Sequence, residues 1–108
     1  MEAVAGVMQD NAAVRLARIF TGVTPMRIPI HLVRGDGADE RTTIEFGTSR
    51  EVIFRTDSEL DFKEKVRLKN EDGSLDVVVQ IIAVQWTDSS QAVAARFTSP
   101  VSNWIIKS

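Results

Sequence analysis

The sequence predicts a mainly β fold, in which six antiparallel strands form a small barrel and one helix precedes them. Beyond residue 25, apolar side chains recur mostly at every second position, which is typical of strands with one buried face. Turn-forming residues interrupt this alternation at short intervals. A chain of 108 residues has room for one hydrophobic core. We therefore predict a single domain over residues 1–108, with the helix at about 8–20, the barrel at about 26–98 and a C-terminal tail at 99–108.

The helix is predicted from apolar residues that recur at intervals of three and four positions near the N-terminus. This spacing gives a helix one apolar face. Gly22 and Pro25 follow, and a helix is not expected to run through them. The apolar stripe comprises Met8, Ala12, Leu16, Ile19 and Phe20.

The first predicted strand begins at Met26. Pro29 lies within it and has no N–H to donate, so we expect this residue at a sheet edge or beside a bulge. Glycine and aspartate at residues 35–37 favour a turn into the second strand. The inward side chains of the first strand are expected to be Met26, Ile28, Ile30 and Leu32.

The second and third strands are predicted at residues 41–46 and 51–56, separated by a short break. Residues 57–61 are polar and typical of a turn. The side chains expected to face inward on these two strands are Ile44, Phe46, Val52 and Phe54.

The fourth and fifth strands are expected on either side of Asp72-Gly73, the strongest hairpin signal in the chain. The fifth, at residues 75–86, has apolar residues at both parities, so both of its faces should be covered. One face would line the barrel, and the other would meet the helix or a second copy of the domain. The sixth strand is predicted at residues 91–98. The fourth, at residues 63–69, would project a basic face formed by Lys63, Lys65, Arg67 and Lys69.

Few residues suit catalysis or metal binding. The chain has no cysteine, which excludes disulfides, thiolate metal sites and thiol nucleophiles. His31 is the only histidine, and we interpret it as an ordinary residue of a strand face. Acids such as Glu59 and Asp61 fall in predicted turns, where solvation explains them better than acid–base catalysis. No phosphate-binding or dinucleotide motif is present. We therefore predict neither enzymatic activity, nor a cofactor, nor a metal.

The charge balance disfavours nucleic acid as the main partner. The net charge is −2 and the pI is about 5.3, so the chain lacks the positive field that attracts phosphate backbones. An oligonucleotide-binding barrel using the basic face of residues 63–69 is an alternative, although 6% aromatic residues leave few stacking platforms. Glu2 stands where a signal peptide would be basic, and no apolar run would span a bilayer. We expect a cytoplasmic protein with no membrane partner.

The C-terminal tail carries an apolar cluster formed by Trp104, Ile105 and Ile106. One interpretation is that the cluster packs over an open mouth of the barrel. The alternative is that it forms a surface for a protein partner or for self-association.

The apolar patterning follows one layout through five segments: RIFTGVTPMRIPI (residues 18–30), FGTSREVIFRT (46–56), VRL (66–68), VQIIAV (79–84) and AARF (94–97). In this layout, which covers about four fifths of the chain, the sequence resembles PilZ domains, which are six-stranded antiparallel barrels. Many PilZ domains bind the bacterial second messenger cyclic di-GMP, using an RxxxR motif before the first strand and a (D/N)xSxxG motif at a strand edge.

Both ligand motifs of the family are altered in this chain. Arg18 matches the first arginine of RxxxR, but Gly22 stands at the position of the second. In the second motif the acid or amide, the serine and the glycine are all replaced. The glutamate at the last position would place a negative charge beside an anionic ligand. The residues at these three positions are Phe46, Thr48 and Glu51.

The resemblance therefore implies a divergent PilZ-like member that has kept the barrel and lost the nucleotide site. Our leading hypothesis is a non-catalytic regulatory adaptor that binds a protein partner or a second copy of itself. Its candidate interaction residues are Trp104, Ile105 and Ile106. The alternative is a sensor that retains cyclic di-GMP binding through Arg15, Arg18 and Arg50.

Overall fold

The computed structural model describes residues 12–86, 90–101 and 104–106. It confirms the predicted fold class, because six antiparallel strands form a closed barrel preceded by a helix. No helix in these ranges is long and apolar enough to cross a membrane. The elements are α1 (Ala12–Ala17), β1 (Thr24–Val33), β2 (Asp39–Gly47), β3 (Glu51–Thr56), β4 (Lys65–Lys69), β5 (Asp76–Trp86) and β6 (Gln91–Phe97).

The strands follow the order β1-β2-β3-β6-β5-β4 around the barrel, and β4 closes it against β1. Every neighbouring pair except β3–β6 and β1–β4 consists of strands consecutive in the chain. The connection from β3 to β4, which includes residues 57–62, therefore leaves the sheet at one end of the barrel. The turn from β2 to β3 lies at the opposite end.

The seam between β1 and β4 explains how Pro29 fits a closed barrel. Within the described part of the chain, β4 pairs with β1 only along His31–Val33. Pro29 precedes this stretch and pairs with β2 alone, at Thr43. It therefore sits at a local edge, where a missing N–H breaks no ladder bond. The bulge in β1 lies earlier, between Pro25 and Ile28.

Two predicted hairpins are confirmed with glycine at the position of positive φ. In the β1–β2 turn, Gly37 has φ 89° and its N–H donates to the carbonyl of Arg34 at 2.9 Å. In the β4–β5 turn, Gly73 has φ 76° and donates to the carbonyl of Asn70. A side chain would strain both positions.

The main core fills the barrel and agrees with most of the predicted inward positions. Ile30, Leu32, Val52 and Phe54 are each no more than 2% exposed. Met26 and Ile28, nearer the open end of β1, are partly buried against this core. Trp104 of the tail belongs to the same cluster.

The prediction that Phe46 faces inward with Ile44 is wrong. Ile44 lies in the barrel core, but Phe46 packs on the outer face, against the cluster that includes Leu16 of α1. The reason is a register shift between Ile44 and Phe46 in the pairing with β3. Such a bulge reverses the direction of the following side chains.

The helix ends earlier than the predicted range of 8–20. Residues 8–11 lie outside the described residues, and α1 ends at Ala17. Beyond it the chain tightens into i→i−3 bonds, from the N–H groups of Ile19 and Phe20 to the carbonyls of Leu16 and Ala17. This tightening leaves Ile19 66% exposed.

The helix covers the outer face of the barrel beside β3, β5 and β6. Ala12, Ala13 and Leu16 are buried there against the small side chains Ala92 and Ala94 of β6. Small residues on both sides allow the helix to approach the sheet closely. The helix is therefore part of the domain.

The fifth strand is covered on both faces over only part of its length. Val79 and Ile81 line the barrel, and a bulge between Ile81 and Ala83 turns Ile82 and Ala83 toward the helix. Val78, earlier on the outer face, is 44% exposed. The expected coverage of the outer face is therefore not found at this residue, which α1 does not cover.

The prediction that β4 begins at Lys63 is wrong. Lys63 has φ 73°, the only positive φ of a non-glycine residue within the described ranges, so it belongs to the turn before the strand. The strand begins at Lys65 and alternates outward basic residues with the buried Val66 and Leu68.

His31 joins three elements through its ring. Its Nδ1 lies 3.2 Å from Asp39 Oδ1 on β2, and its Nε2 lies 2.9 Å from Glu71 Oε2 in the β4–β5 turn. Arg41 and Lys69 are its cross-strand neighbours. Hydrogen bonds that the His31 ring donates to the Glu71 and Asp39 carboxylates raise the pKa of His31 above its ordinary value.

This geometry predicts a pH-dependent component of stability. Because the folded-state pKa is raised, His31 contributes its full stabilisation below its unfolded pKa, about 6.5. The contribution is lost as the pH rises through the higher folded value. In urea unfolding at several pH values between about 6 and 8, the variant His31→Gln should lack this decline. Identical pH profiles for the two proteins would contradict the prediction.

Candidate functional site

A groove lies beside the turn from β2 to β3, at one end of the barrel. Its volume is about 520 Å³. Arg50 and Arg96 contribute its basic groups, and the tail contributes one wall. We name it the Arg50 groove, and it is lined by Ser49, Arg50, Arg96, Phe97, Thr98, Ser99, Pro100, Val101 and Ile106.

The turn beside this groove is closed by its own hydrogen bonds. The N–H of Thr48 donates to the carbonyl of Glu51 at 2.9 Å. The hydroxyl oxygen of Thr48 accepts the N–H groups of Arg50 and Glu51, at 3.1 and 2.9 Å, and its O–H donates to the Glu51 carboxylate. The Thr48 hydroxyl and one oxygen of the Glu51 carboxylate therefore already have partners within the turn.

The Glu51 carboxylate also binds across the sheet. Its Oε2 accepts from Nη2 and Nε of Arg96 on β6, at 3.0 and 3.1 Å. Glu51 and Arg96 are directly opposite each other in the β3–β6 ladder. The Glu51 side chain is only 14% exposed, so this charge-assisted pair is partly shielded from water. Arg96 is thereby neutralised at the edge of the groove.

Trp104 seals the mouth of the barrel behind the same turn. It is 3% exposed, and its indole N–H donates to the carbonyl of Thr48 at 2.8 Å. Its ring meets that of Phe97 edge to face, with centroids 5.1 Å apart. A Cβ on Gly47 would lie 3.1 Å from Trp104 Cζ2 and 2.7 Å from Met26 Cε. The backbone and the indole are therefore in close contact.

The three residues of the predicted interaction cluster have different environments. Trp104 belongs to the core, and Ile106 packs partly against it while lining the groove. Ile105 is 65% exposed. Trp104 thus covers the barrel mouth, as expected if the apolar cluster of the tail packs over the barrel. Ile105 stays accessible to solvent.

The three candidate nucleotide-binding arginines are not gathered in the groove. Arg50 lines it, and its guanidinium has no hydrogen bond or ion pair within the described residues. Arg15 lies exposed on α1, and Arg18 lies exposed just beyond it. Neither contributes to the lining of the groove. Arg96, which the sequence analysis missed, is the arginine that forms an ion pair with Glu51, because β6 pairs with β3.

A second cavity of about 350 Å³ lies at the other end of β2 and β3, lined by polar residues that include Arg55 and Glu40. Burial raises the pKa of Glu40, but hydrogen bonds from Thr56, from the Asp57 N–H and from Ser58 outweigh it, so the pKa is lowered. Glu40 is thus an ionised anchor between strands and a poor general acid. No cluster of metal-ligating side chains occurs in the part of the chain that the structure covers.

Comparisons with known proteins were made for the whole chain. A scan against protein-family models found no match. A search of curated proteins found no similar protein. The resemblance to PilZ domains therefore stays a prediction that depends on the segments quoted above.

Proposed function

We propose that this chain is a non-catalytic, PilZ-like adaptor domain that binds a protein and does not bind cyclic di-GMP. The observation that carries the proposal is the closed turn between β2 and β3. Thr48 and Glu51 occupy altered positions of the family's second motif, and both are engaged within the protein. The turn therefore stabilises the barrel.

Electrostatics at the turn also disfavours the nucleotide. Cyclic di-GMP carries two phosphate charges, which arginine side chains bind well when they are free to form paired hydrogen bonds. Here the Glu51 carboxylate lies at the turn and accepts hydrogen bonds from Nε and Nη2 of Arg96. A phosphate at this place would meet a negative charge and would have to break an existing ion pair.

Protein binding is favoured by the apolar side chains that remain exposed. Aromatic residues are enriched in protein interfaces and among the residues that contribute most to binding. The exposed large apolar residues within the described ranges are Ile19, Phe62, Val78, Trp86 and Ile105. The proposal places this adaptor in the bacterial cytoplasm, where PilZ domains act.

The second candidate is a cyclic di-GMP sensor with a non-standard site. The observation that favours it is the unpartnered guanidinium of Arg50 in the Arg50 groove, which is large enough for a small ligand. Such a sensor would also need Arg15 and Arg18. The substitutions Arg18→Ala and Arg50→Ala would then abolish binding of the nucleotide.

Calorimetric titration with cyclic di-GMP, near physiological salt, tests the proposal. We expect no binding heat up to millimolar ligand, for the native chain and for Arg18→Ala alike. A saturable heat that disappears in Arg18→Ala or Arg50→Ala would overturn the adaptor proposal and establish the sensor.

A further inference from the structure

We propose that the protein partner is a second copy of this chain, and that Phe62 of one copy docks into the Arg50 groove of the next. The inference rests on the proposed function, because it names the partner that the adaptor binds. Phe62 follows β3 in a segment that we name the Phe62 loop, residues 57–62. The features that carry the inference are the exposure of Phe62, the rigidity of its loop and the charges of the two surfaces.

Phe62 is an exposed aromatic residue on an acidic segment. Its side chain is 60% exposed. Asp57, Glu59 and Asp61 belong to the same loop, and their carboxylates accept no hydrogen bond within the described residues. The loop therefore offers an aromatic ring beside three carboxylates that are unpaired within the described ranges, with the Lys63 ammonium next to the ring.

The Phe62 loop is held rigidly by its own centre. Leu60 is 1% exposed and lies in the barrel core. Its N–H donates to Gln91 Oε1 at 3.0 Å, and its carbonyl accepts Gln91 Nε2 at 2.9 Å. Because Gln91 is itself buried, these bonds fix the backbone two residues before Phe62. Little conformational entropy remains to be lost when such a loop binds.

The residue after Phe62 is fixed as well. Lys63 has φ 73°, and its N–H donates to the carbonyl of Ile81 at 2.8 Å. Its carbonyl accepts Gln80 Nε2 at 3.2 Å. Anchors on both sides keep the Phe62 ring outside the core, where its only described ring contact is the Lys63 ammonium at 5.6 Å.

The Arg50 groove is complementary to this loop. Phe97, Val101 and Ile106 give it an apolar lining, and all three also pack against the barrel core. Arg50 is exposed at the groove, and its guanidinium can pair with a carboxylate of an incoming loop. The volume of about 520 Å³ exceeds that of one aromatic ring.

The two surfaces lie at opposite ends of the barrel. The Arg50 groove adjoins the start of β3, and the Phe62 loop follows the end of this strand. A strand of six residues spans about 17 Å. The contact is therefore head to tail, and each copy keeps one free loop and one free groove for the next copy. Association should continue beyond the dimer.

Sedimentation equilibrium of the full chain tests this association. The mean mass of the native protein should rise from micromolar to millimolar concentration and pass that of a dimer. Added salt should reduce it, because exposed charges contribute to the contact. A protein that stays monomeric at millimolar concentration would overturn the inference, although an adaptor with another partner would remain possible.

Two single substitutions identify the surfaces. Phe62→Asp removes the ring and keeps the groove, whereas Arg50→Glu reverses the charge of the groove and keeps the loop. Each variant alone should be monomeric at concentrations where the native protein associates. Ile19→Asp, which changes an exposed residue outside both surfaces, should associate as the native chain does. Circular dichroism of each variant checks that the barrel is folded.

Mixing the two variants gives the decisive result. One intact loop from Arg50→Glu and one intact groove from Phe62→Asp allow a single contact, so an equimolar mixture should form a 1:1 dimer and stop there. A mixture that remains monomeric, or either variant that associates alone, would contradict the head-to-tail contact. Failure of the adaptor proposal itself would appear separately, as cyclic di-GMP binding in calorimetry.

Discussion

Replacing Trp104 by alanine is expected to lower the free energy of unfolding by about 3–5 kcal/mol, the usual effect of removing a buried indole. Trp104 is 3% exposed, stacks edge to face on Phe97 and donates to the carbonyl of Thr48. The substitution would open the barrel mouth and leave this carbonyl without its partner. Urea unfolding followed by far-ultraviolet circular dichroism measures the change.

Two matched variants separate the causes of this loss. Ile105→Ala alters the adjacent residue, which is 65% exposed, and should change the free energy of unfolding by no more than about 0.5 kcal/mol. Trp104→Phe keeps an aromatic ring and removes the indole donor, so an intermediate loss is expected. A Trp104→Ala effect as small as that of Ile105→Ala would show that the tail does not seal the barrel.

Replacing Gln91 by methionine is expected to lower the free energy of unfolding by about 3 kcal/mol, although the side chain keeps its approximate size. The Gln91 amide satisfies both backbone groups of Leu60 inside the protein. Methionine would leave one N–H and one carbonyl buried without partners. Urea unfolding measures the loss.

Gln80→Met is the control for this prediction. The Gln80 amide also donates to a backbone carbonyl, that of Lys63, but the bond is exposed to water. Water can replace the lost donor there, so the free energy of unfolding should change by less than about 1 kcal/mol. Equal effects of the two substitutions would mean that burial does not decide the importance of the Gln91 bonds.

The alternation of apolar residues predicts the six strands of the barrel. Four of the six neighbouring pairs join strands that are consecutive in the chain, so short turns are enough to pair them. The error in side-chain direction on β2 arises at a bulge. Phe46 has the parity of an inward residue, and only the register shift against β3 turns it toward the helix. No residue type in the segment marks this shift. Bulges follow from the pairing of two strands, so one strand alone does not reveal them.

Parts of the candidate site could be predicted only as separate residues. The altered motif indicated Thr48 and Glu51, and the apolar tail indicated Trp104. The ion pair between Arg96 and Glu51 could not be predicted, because the two residues are 45 positions apart in the chain. To predict that such distant residues pair, the order of the strands around the barrel must be known.

The Phe62 loop shows a different limit of sequence analysis. Residues 57–61 are polar overall and predict a solvated turn, and no pattern in the sequence distinguishes Phe62. Leu60 is nevertheless buried in the core, because Gln91 on β6 binds its backbone. A single apolar residue within a polar segment gives too weak a pattern to predict its burial.

A two-dimensional amide NMR titration of the native chain with cyclic di-GMP tests whether the turn from Thr48 to Glu51 binds the nucleotide. If this turn serves only the barrel, the amide signals of Ser49, Arg50 and Glu51 should keep their positions up to millimolar ligand. Saturable shifts at these residues, together with shifts at Arg18, would contradict this expectation.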